Sequence, residues 1–201
     1  MAYRRTPEIQ ARIDGQRVAI VDAAATLLAE RGYAGCSIAA VAARAGVAAG
    51  TVYRHFDSKT ELVAEVFRSV VGREVAAVRA AVDGEAGVEQ RVAAVVQTFA
   101  ARALKSPRLA YALLTEPVDP VIDELRLEYR RTFRDIAASA IADGVRGGSL
   151  PPQNADVVAA ALVGAIAEAL AGPLASGAED PETVPTLIRF AYRAIGARPE
   201  E

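Results

Sequence analysis

The chain alternates between stretches in which apolar residues recur every three or four positions and short breaks rich in Gly, Pro, Ser and Asp. Recurrence at that spacing marks amphipathic helices. In "QRVAIVDAAATLLAER" (16–31), Val18, Val21, Ala25 and Leu28 share a face, and Gly32 supplies a stop. Ser37 is positioned to cap a second helix whose inner face carries Ile38, Val41, Ala42 and Ala45, and Gly46 breaks it in a left-handed conformation. A short third helix covers about 49–55. "SKTE" (58–61) has the spacing of a capping box, so a fourth helix starts there and runs to about Val82. "GVEQRVAAVVQTFAARALKS" (87–106) is a fifth. Ser106-Pro107 and Asp119-Pro120 each set a cap residue before a proline at the first helical position, opening a short sixth helix and a long seventh that ends near Arg146. Beyond the loop "GGSLPPQ", an eighth helix runs from about Ala155 to Ala171, stopped by Gly172-Pro173, and a ninth from about Pro181 to Ile195. Alternating β-branched strand patterns are absent, so an all-α fold of about nine helices is expected.

Composition agrees. Alanine, the strongest helix former, supplies 45 of the 201 residues, enough chain for one or two domains with a sizeable core. One cysteine excludes an internal disulfide, and Cys36 with a single histidine offers no Cys/His metal cluster, so no metal or cofactor is expected. Cys36 itself reads as a small buried group between two helices. The N-terminal segment lacks an apolar signal-like core, and the longest apolar stretch, "VVAAALVGAIAEALAG", carries Glu168 and reads as an interface helix and not as a bilayer span. A soluble, cytoplasmic protein with no membrane partner is the expectation. The net charge of −2 divides unevenly: residues 1–60 hold eight Lys/Arg against five Asp/Glu, the remainder fifteen against twenty. A basic end on an acidic body suits a polyanionic partner at that end alone.

The chemistry is concentrated at "AGVAAGTVYRHFDSKTEL" (45–62), a helix, a turn through Gly46 and a short helix. That is the pattern of a helix-turn-helix. On the third helix Val52 and Phe56 are four apart and face inward with Val47. Arg54 then points away from the core beside Gly50, with Thr51, Tyr53 and His55 on the flanks. A major groove admits one helix, arginine pairs bidentately with guanine, and hydroxyl and imidazole donors suit phosphate oxygens. Lys59 and Ser37, each in the first turn or cap of a helix, add donors where backbone N–H groups already favour an anion. Ala48, Ala49 and Gly50 allow close backbone approach.

Residues 16–66 resemble the DNA-binding domain of TetR-family transcriptional regulators. The resemblance is carried by "IVDAA" (20–24), "LLAERGYAGCSI" (27–38) and "VAARAGVAAGTVYRHFDSKTEL" (41–62), above all by Thr51-Val52-Tyr53-Arg54-His55-Phe56 with Lys59 and Leu62. It implies a basic N-terminal arm (1–15), a helix-turn-helix domain (16–60) and a helical ligand-binding and dimerisation domain (61–201). It also implies a homodimeric regulator, usually a repressor, that binds palindromic operator DNA and is released by a small effector. By position, Ser37, Thr51, Tyr53, His55 and Lys59 fall where such proteins hold the DNA backbone, and Gly50 and Arg54 where they read sequence. Some relatives read a base from early in the second helix; Ile38-Ala39-Ala40 cannot, and Arg44 offers a phosphate contact instead. Arg4, Arg5, Arg12 and Arg17 could reach the minor groove or phosphates from the arm.

The last two helices are expected to dimerise. Ala161, Gly164, Ala165 and Ala169 allow close approach, with Leu187, Phe190, Ala191 and Ile195 on the ninth helix, across a two-fold axis. An effector cavity is expected among helices four to eight, walled by Phe67, Phe99, Tyr111, Leu114, Tyr129, Phe133 and Ile166, with Glu116, Asp119, Arg126 and Arg130 as polar anchors. So apolar an inventory favours a lipophilic effector. An enzyme is disfavoured: the chain lacks a phosphate-binding G-x-x-x-x-G-K-[ST] loop, a G-x-S-x-G elbow and an H-E-x-x-H helix, and its one histidine lies on the DNA-facing segment.

Overall fold

In the computed structural model, residues 7–85, 87–178 and 180–197 are described, and they form nine helices and no strand. Three helices build the N-terminal head: α1 (Pro7–Gly35), α2 (Ile38–Ala45) and α3 (Ala49–His55). The body consists of α4 (Lys59–Asp83), α5 (Val88–Lys105), α6 (Pro107–Leu114), α7 (Pro120–Gly147), α8 (Ala155–Ser176) and α9 (Thr183–Ile195).

The caps explain most boundaries. Ser37 accepts from Ala40 N at 3.2 Å, and Ser58 from Glu61 N at 3.1 Å, while the Glu61 carboxylate returns to Asp57 N. Asn154 caps α8 through Val157 N at 3.1 Å. Ser106 and Asp119 occupy cap positions without a side-chain cap bond; the proline that follows each removes one unpaired N–H and presets φ for the first turn.

Gly32 kinks α1 where a stop was expected, at φ 66° and ψ −175°, and a last turn carries the helix on to Gly35; two further boundaries also differ from the sequence expectation. α1 begins at Pro7, not near Gln16, so the arm read over 1–15 is helical from Pro7 onward. Proline suits the first helical position, Glu8 complements the helix N-terminus, and Gln10 bonds Asp14 one turn on at 2.9 Å. Arg4 and Arg5 lie outside the described residues. α8 continues through Gly172-Pro173 to Ser176, where Gly177 caps it. Proline inside a helix costs roughly 3 kcal/mol. Burial of Leu174 directly above Leu170, worth roughly 1.5–3 kcal/mol, offsets most of that. The extended α8 is thereby long and apolar enough to cross a bilayer by length and composition, unlike the shorter stretch expected; 28% of its apolar window is buried within the chain.

Two apolar cores run through the molecule. The first joins the head to the body: Ile20, Leu27, Val41, Val52 and Phe56 pack with Leu62, Val66 and Phe67 of α4 and reach Leu113, Ile122 and Phe133. The second unites α5, α7, α8 and α9 through Val92, Val96, Ile141, Leu162, Leu170, Leu187 and Ile195. Cys36 is buried in the first core, its thiol 3.8 Å from Ala24 O. α4 therefore connects the N-terminal head to the body.

Candidate nucleic-acid interface and cavity

Gly46 ends α2 at φ 68°, ψ 31°, and Val47 N returns to Ala42 O at 3.0 Å. That left-handed turn sets α3 at an angle to α2. Val52 and Phe56 are buried, fixing the helix by one face. Gly50 and Arg54 are exposed, Tyr53 is 54% exposed, and His55 is half-buried with its ring tilted beside Phe56. Ala48 and Ala49 are exposed, and apart from the backbone of its own helix nothing lies within 4 Å of where a Gly50 Cβ would stand. Thr51 departs from the expectation of an exposed flank. It is 8% exposed, and its hydroxyl accepts from Arg54 Nη2 at 2.9 Å. Thr51 thus orients the guanidinium from below.

Arg44, Lys59 and Ser37, all expected at the DNA backbone, have partners of their own. Arg44 pairs with Glu30, Nη1 to Oε1 at 2.9 Å. Lys59 is half-buried, donating to Tyr33 O at 2.6 Å with its ammonium 3.8 Å from the Tyr33 ring centroid. Ser37 remains exposed beside its cap bond. Arg17, read as part of a free arm, lies on α1, bonds Glu65 at 2.9 Å and stacks 5.1 Å from the Phe56 ring centroid. Glu65 accordingly titrates below the usual carboxylate range, the Arg17 hydrogen bond being the main cause. Arg12 is exposed on the same helix.

The body holds a cavity of about 350 Å³ between α4, α5, α6, α7 and α8. Phe67, Phe99, Leu114, Tyr129, Phe133 and Ile166 line it, and Phe99 meets Phe133 edge-on at 5.1 Å. Tyr111 is not among its lining residues; it is half-buried against the second core. Of the expected polar anchors, Arg126 and Arg130 line the cavity. Glu116 and Asp119 do not, because tertiary partners claim them: Glu116 accepts from Tyr33 N at 2.9 Å, and Asp119 accepts from Thr60 Oγ1 at 2.6 Å and from the Tyr33 hydroxyl. The sequence reading missed Arg73, Glu74, Arg102 and Lys105, which also border the cavity. Arg102 is tied to Glu74, with Nη2 to Oε1 at 2.9 Å, and Arg73 bonds Ser69. Arg102 follows Phe99 by three on α5 and borders the same face, but Lys105, six on, is rotated well away from it, so helical spacing alone does not mark the pair. Five cations and one carboxylate make the border of an otherwise apolar cavity electropositive.

On α8, Ala161, Gly164 and Ala169 are exposed and Ala165 is half-buried; Val157 beside them is 63% exposed. On α9, Phe190 is 43% exposed. Leu187, Ala191 and Ile195 are buried in their own subunit, a correction to their expected role in an interface: spaced four apart, they form the stripe that seats α9 on the second core.

A helix-turn-helix head on a helical, cavity-bearing body defines a DNA-binding regulator of the effector-sensing kind. Residues 20–66 match the sequence profile of bacterial regulatory proteins of the tetR family. Over 143 residues, 67% of this chain and 68% of the relative, the chain is 30% identical to the HTH-type transcriptional repressor KstR2 of Rhodococcus jostii. It is also 30% identical to the fatty acid metabolism regulator protein of Bacillus subtilis over 77 residues, 38% and 40% of the two chains. Among solved structures, FadR of Bacillus subtilis in complex with stearoyl-CoA superposes with a TM-score of 0.79 at 18% identity, covering 89% of this chain and 98% of that one. FadR of Bacillus halodurans gives 0.79 at 18% identity, over 97% and 100%. The chain belongs to the TetR family of bacterial transcriptional regulators.

Proposed function

We propose that this protein is a homodimeric repressor whose α3 reads a palindromic operator and whose cavity takes a lipophilic effector with an anionic head, of the acyl-thioester class. The observation that carries the DNA reading is the division of α3: Val52 and Phe56 bury one side, while Gly50, Tyr53 and Arg54 are turned outward. Arg54, braced by Thr51, reads base edges. Tyr53, His55, Ser37, Arg44 and Lys59 hold phosphates, Arg44 and Lys59 by exchanging the partners they have in the free protein. Ala49 and Gly50 let the backbone come close.

The effector reading rests on the cavity's chemistry. Aromatic and aliphatic walls suit an acyl or ring-bearing tail, and Arg73, Arg102, Lys105, Arg126 and Arg130 suit phosphate or carboxylate oxygens. The stearoyl-CoA held by the similarly folded Bacillus subtilis regulator has both features in one molecule. Dimerisation through the exposed small-residue face of α8, with Phe190 of α9, spaces two heads for two half-sites.

Fluorescence anisotropy on duplex DNA flanking the protein's own gene, with excess nonspecific competitor, tests this. Competitor-resistant binding is expected, and Arg54→Ala should weaken the specific complex by about 1–3 kcal/mol while sparing nonspecific affinity. Stearoyl-CoA should release the specific complex. Equal loss on specific and nonspecific DNA would make Arg54 a phosphate contact and sink its reading role.

A further inference from the structure

One cation of the cavity differs from the others in what it holds. The Arg126 side chain is 10% exposed and borders the cavity. Its Nε donates to Leu113 O at 2.7 Å, its Nη2 to Ala112 O at 2.9 Å and Glu116 O at 2.6 Å, and its Nη1 to Asp123 at 2.8 Å. Leu113 and Ala112 belong to the last turn of α6, whose carbonyls have no intrahelical partner. Arg126 therefore closes the end of α6 and fixes the segment that follows.

That segment grips the reading head. Glu116 accepts from Tyr33 N at 2.9 Å, an N–H that the kink at Gly32 has taken out of the helical ladder. Asp119 accepts from Tyr33 and from Thr60. Tyr33 lies at the end of α1, and Thr60 in the first turn of α4, four residues beyond Phe56 of the reading helix. Arg126 is thus linked, by hydrogen bonds to 112–116 and along the chain to Asp119, to α1 and α4, which share one apolar core with α3.

We propose that Arg126 is the positioning residue through which occupancy of the cavity reaches the DNA-reading head. An effector oxygen, carboxylate or phosphate, draws the guanidinium from three neutral carbonyls, since hydrogen bonds to a charged acceptor are about twice as strong. The 115–119 segment is then released, and with it the hold of Glu116 and Asp119 on Tyr33 and Thr60. Arg73 and Arg102 cannot do this, because their partners are Ser69 and Glu74 on α4 and not the 112–116 backbone. The inference rests on the effector reading of the cavity, but its first test does not need an effector.

Residue-resolved amide exchange of the full-length, ligand-free protein compares wild type, Arg126→Gln, Arg126→Lys and, as a control on the same helix, Arg134→Gln. Arg126→Gln should speed exchange at least tenfold both at 113–117 and at the Tyr33 amide, leaving α9 as in wild type; Arg126→Lys should fall between. If Arg126→Gln does not fold, Arg126→Lys carries the comparison. Opening of 113–117 with Tyr33 still protected would overturn the proposal. In a second arm, stearoyl-CoA is added to wild type with binding followed by calorimetry. Bound ligand should speed Tyr33 exchange as the variant does. Binding without that change would also overturn the proposal. No binding of stearoyl-CoA would count against the effector chemistry above and leave the first arm to decide the Arg126 route.

Discussion

Gly32 and Gly50 show how one residue type serves opposite ends. Gly32 sits at φ 66°, and a Cβ there would come within 2.7 Å of the Glu116 carboxylate. With ψ at −175° this is a region essentially reserved for glycine, and holding an L-residue there costs roughly 1–3 kcal/mol. Gly32→Ala should therefore lower urea stability by at least that much, and a variant as stable as wild type would mean that the backbone at 32 relaxes into an ordinary conformation and Glu116 moves aside, both without cost. Gly50 is the reverse case: it lies in α3 with open space where a Cβ would stand. Gly50→Ala should stabilise the free protein by roughly 0.5–1 kcal/mol and still weaken specific DNA binding, because the methyl would stand between α3 and the groove. Undiminished DNA affinity would remove Gly50 from the contact. Tyr33 adds a pH signature. Burial first, then the Asp119 hydrogen bond, push its phenol up to about 12. The unfolded phenol titrates near 10. A raised folded pKa means the stabilisation is complete below about 10 and is lost as pH climbs toward about 12. Asp119→Asn should flatten the loss of stability across that alkaline window, read from urea midpoints; an unchanged slope would show that Asp119 does not govern the phenol.

At the scale of elements, local chemistry told most of the story. Ser37, Ser58 and Asn154 cap their helices, and Gly46 turns α2 into α3, because these are short-range interactions that residue type alone announces. What the sequence hid was decided at long range. The early turns of α1 offer little apolar periodicity, so Pro7 was not legible as a start. α8 outlasts Pro173 because Leu174 is buried, which periodicity suggests but cannot weigh against a proline. Asp119 stands at a cap position yet spends its carboxylate on residues 59 and 86 positions away. Thr51 looked like an outward donor, and folding turned it into a buried support for Arg54. The wall of the cavity was legible from aromatic placement, since large side chains around one core must face one another. Its charged border was not, for a lysine or arginine on a helix surface looks alike in sequence whether it meets solvent or a cavity.

For the whole molecule the open question is where α8 puts its apolar surface. Ala159, Leu162, Ile166, Leu170 and Leu174 take one side into the subunit core, leaving Val157, Ala161, Gly164 and Ala169 outside. An exposed helix face this apolar needs a cover; in the homodimer proposed above that cover is a second copy, the small residues letting two backbones approach. Ala161→Glu sets a charge on that face without touching the core. It should shift sedimentation equilibrium toward monomer while leaving the urea stability of the monomer near that of wild type. Specific DNA affinity should fall much more than nonspecific affinity, because separate heads lose the effective concentration that tethering gives the second half-site. Leu187→Ala is the contrasting change. Buried beside Ala191 in its own subunit, it should cost about 2–5 kcal/mol of folding stability, whereas Phe190→Ala three residues on should act chiefly on association. If Ala161→Glu stayed dimeric, the two copies would have to meet elsewhere, and the spacing of the two α3 helices would have to be derived from another face of the body.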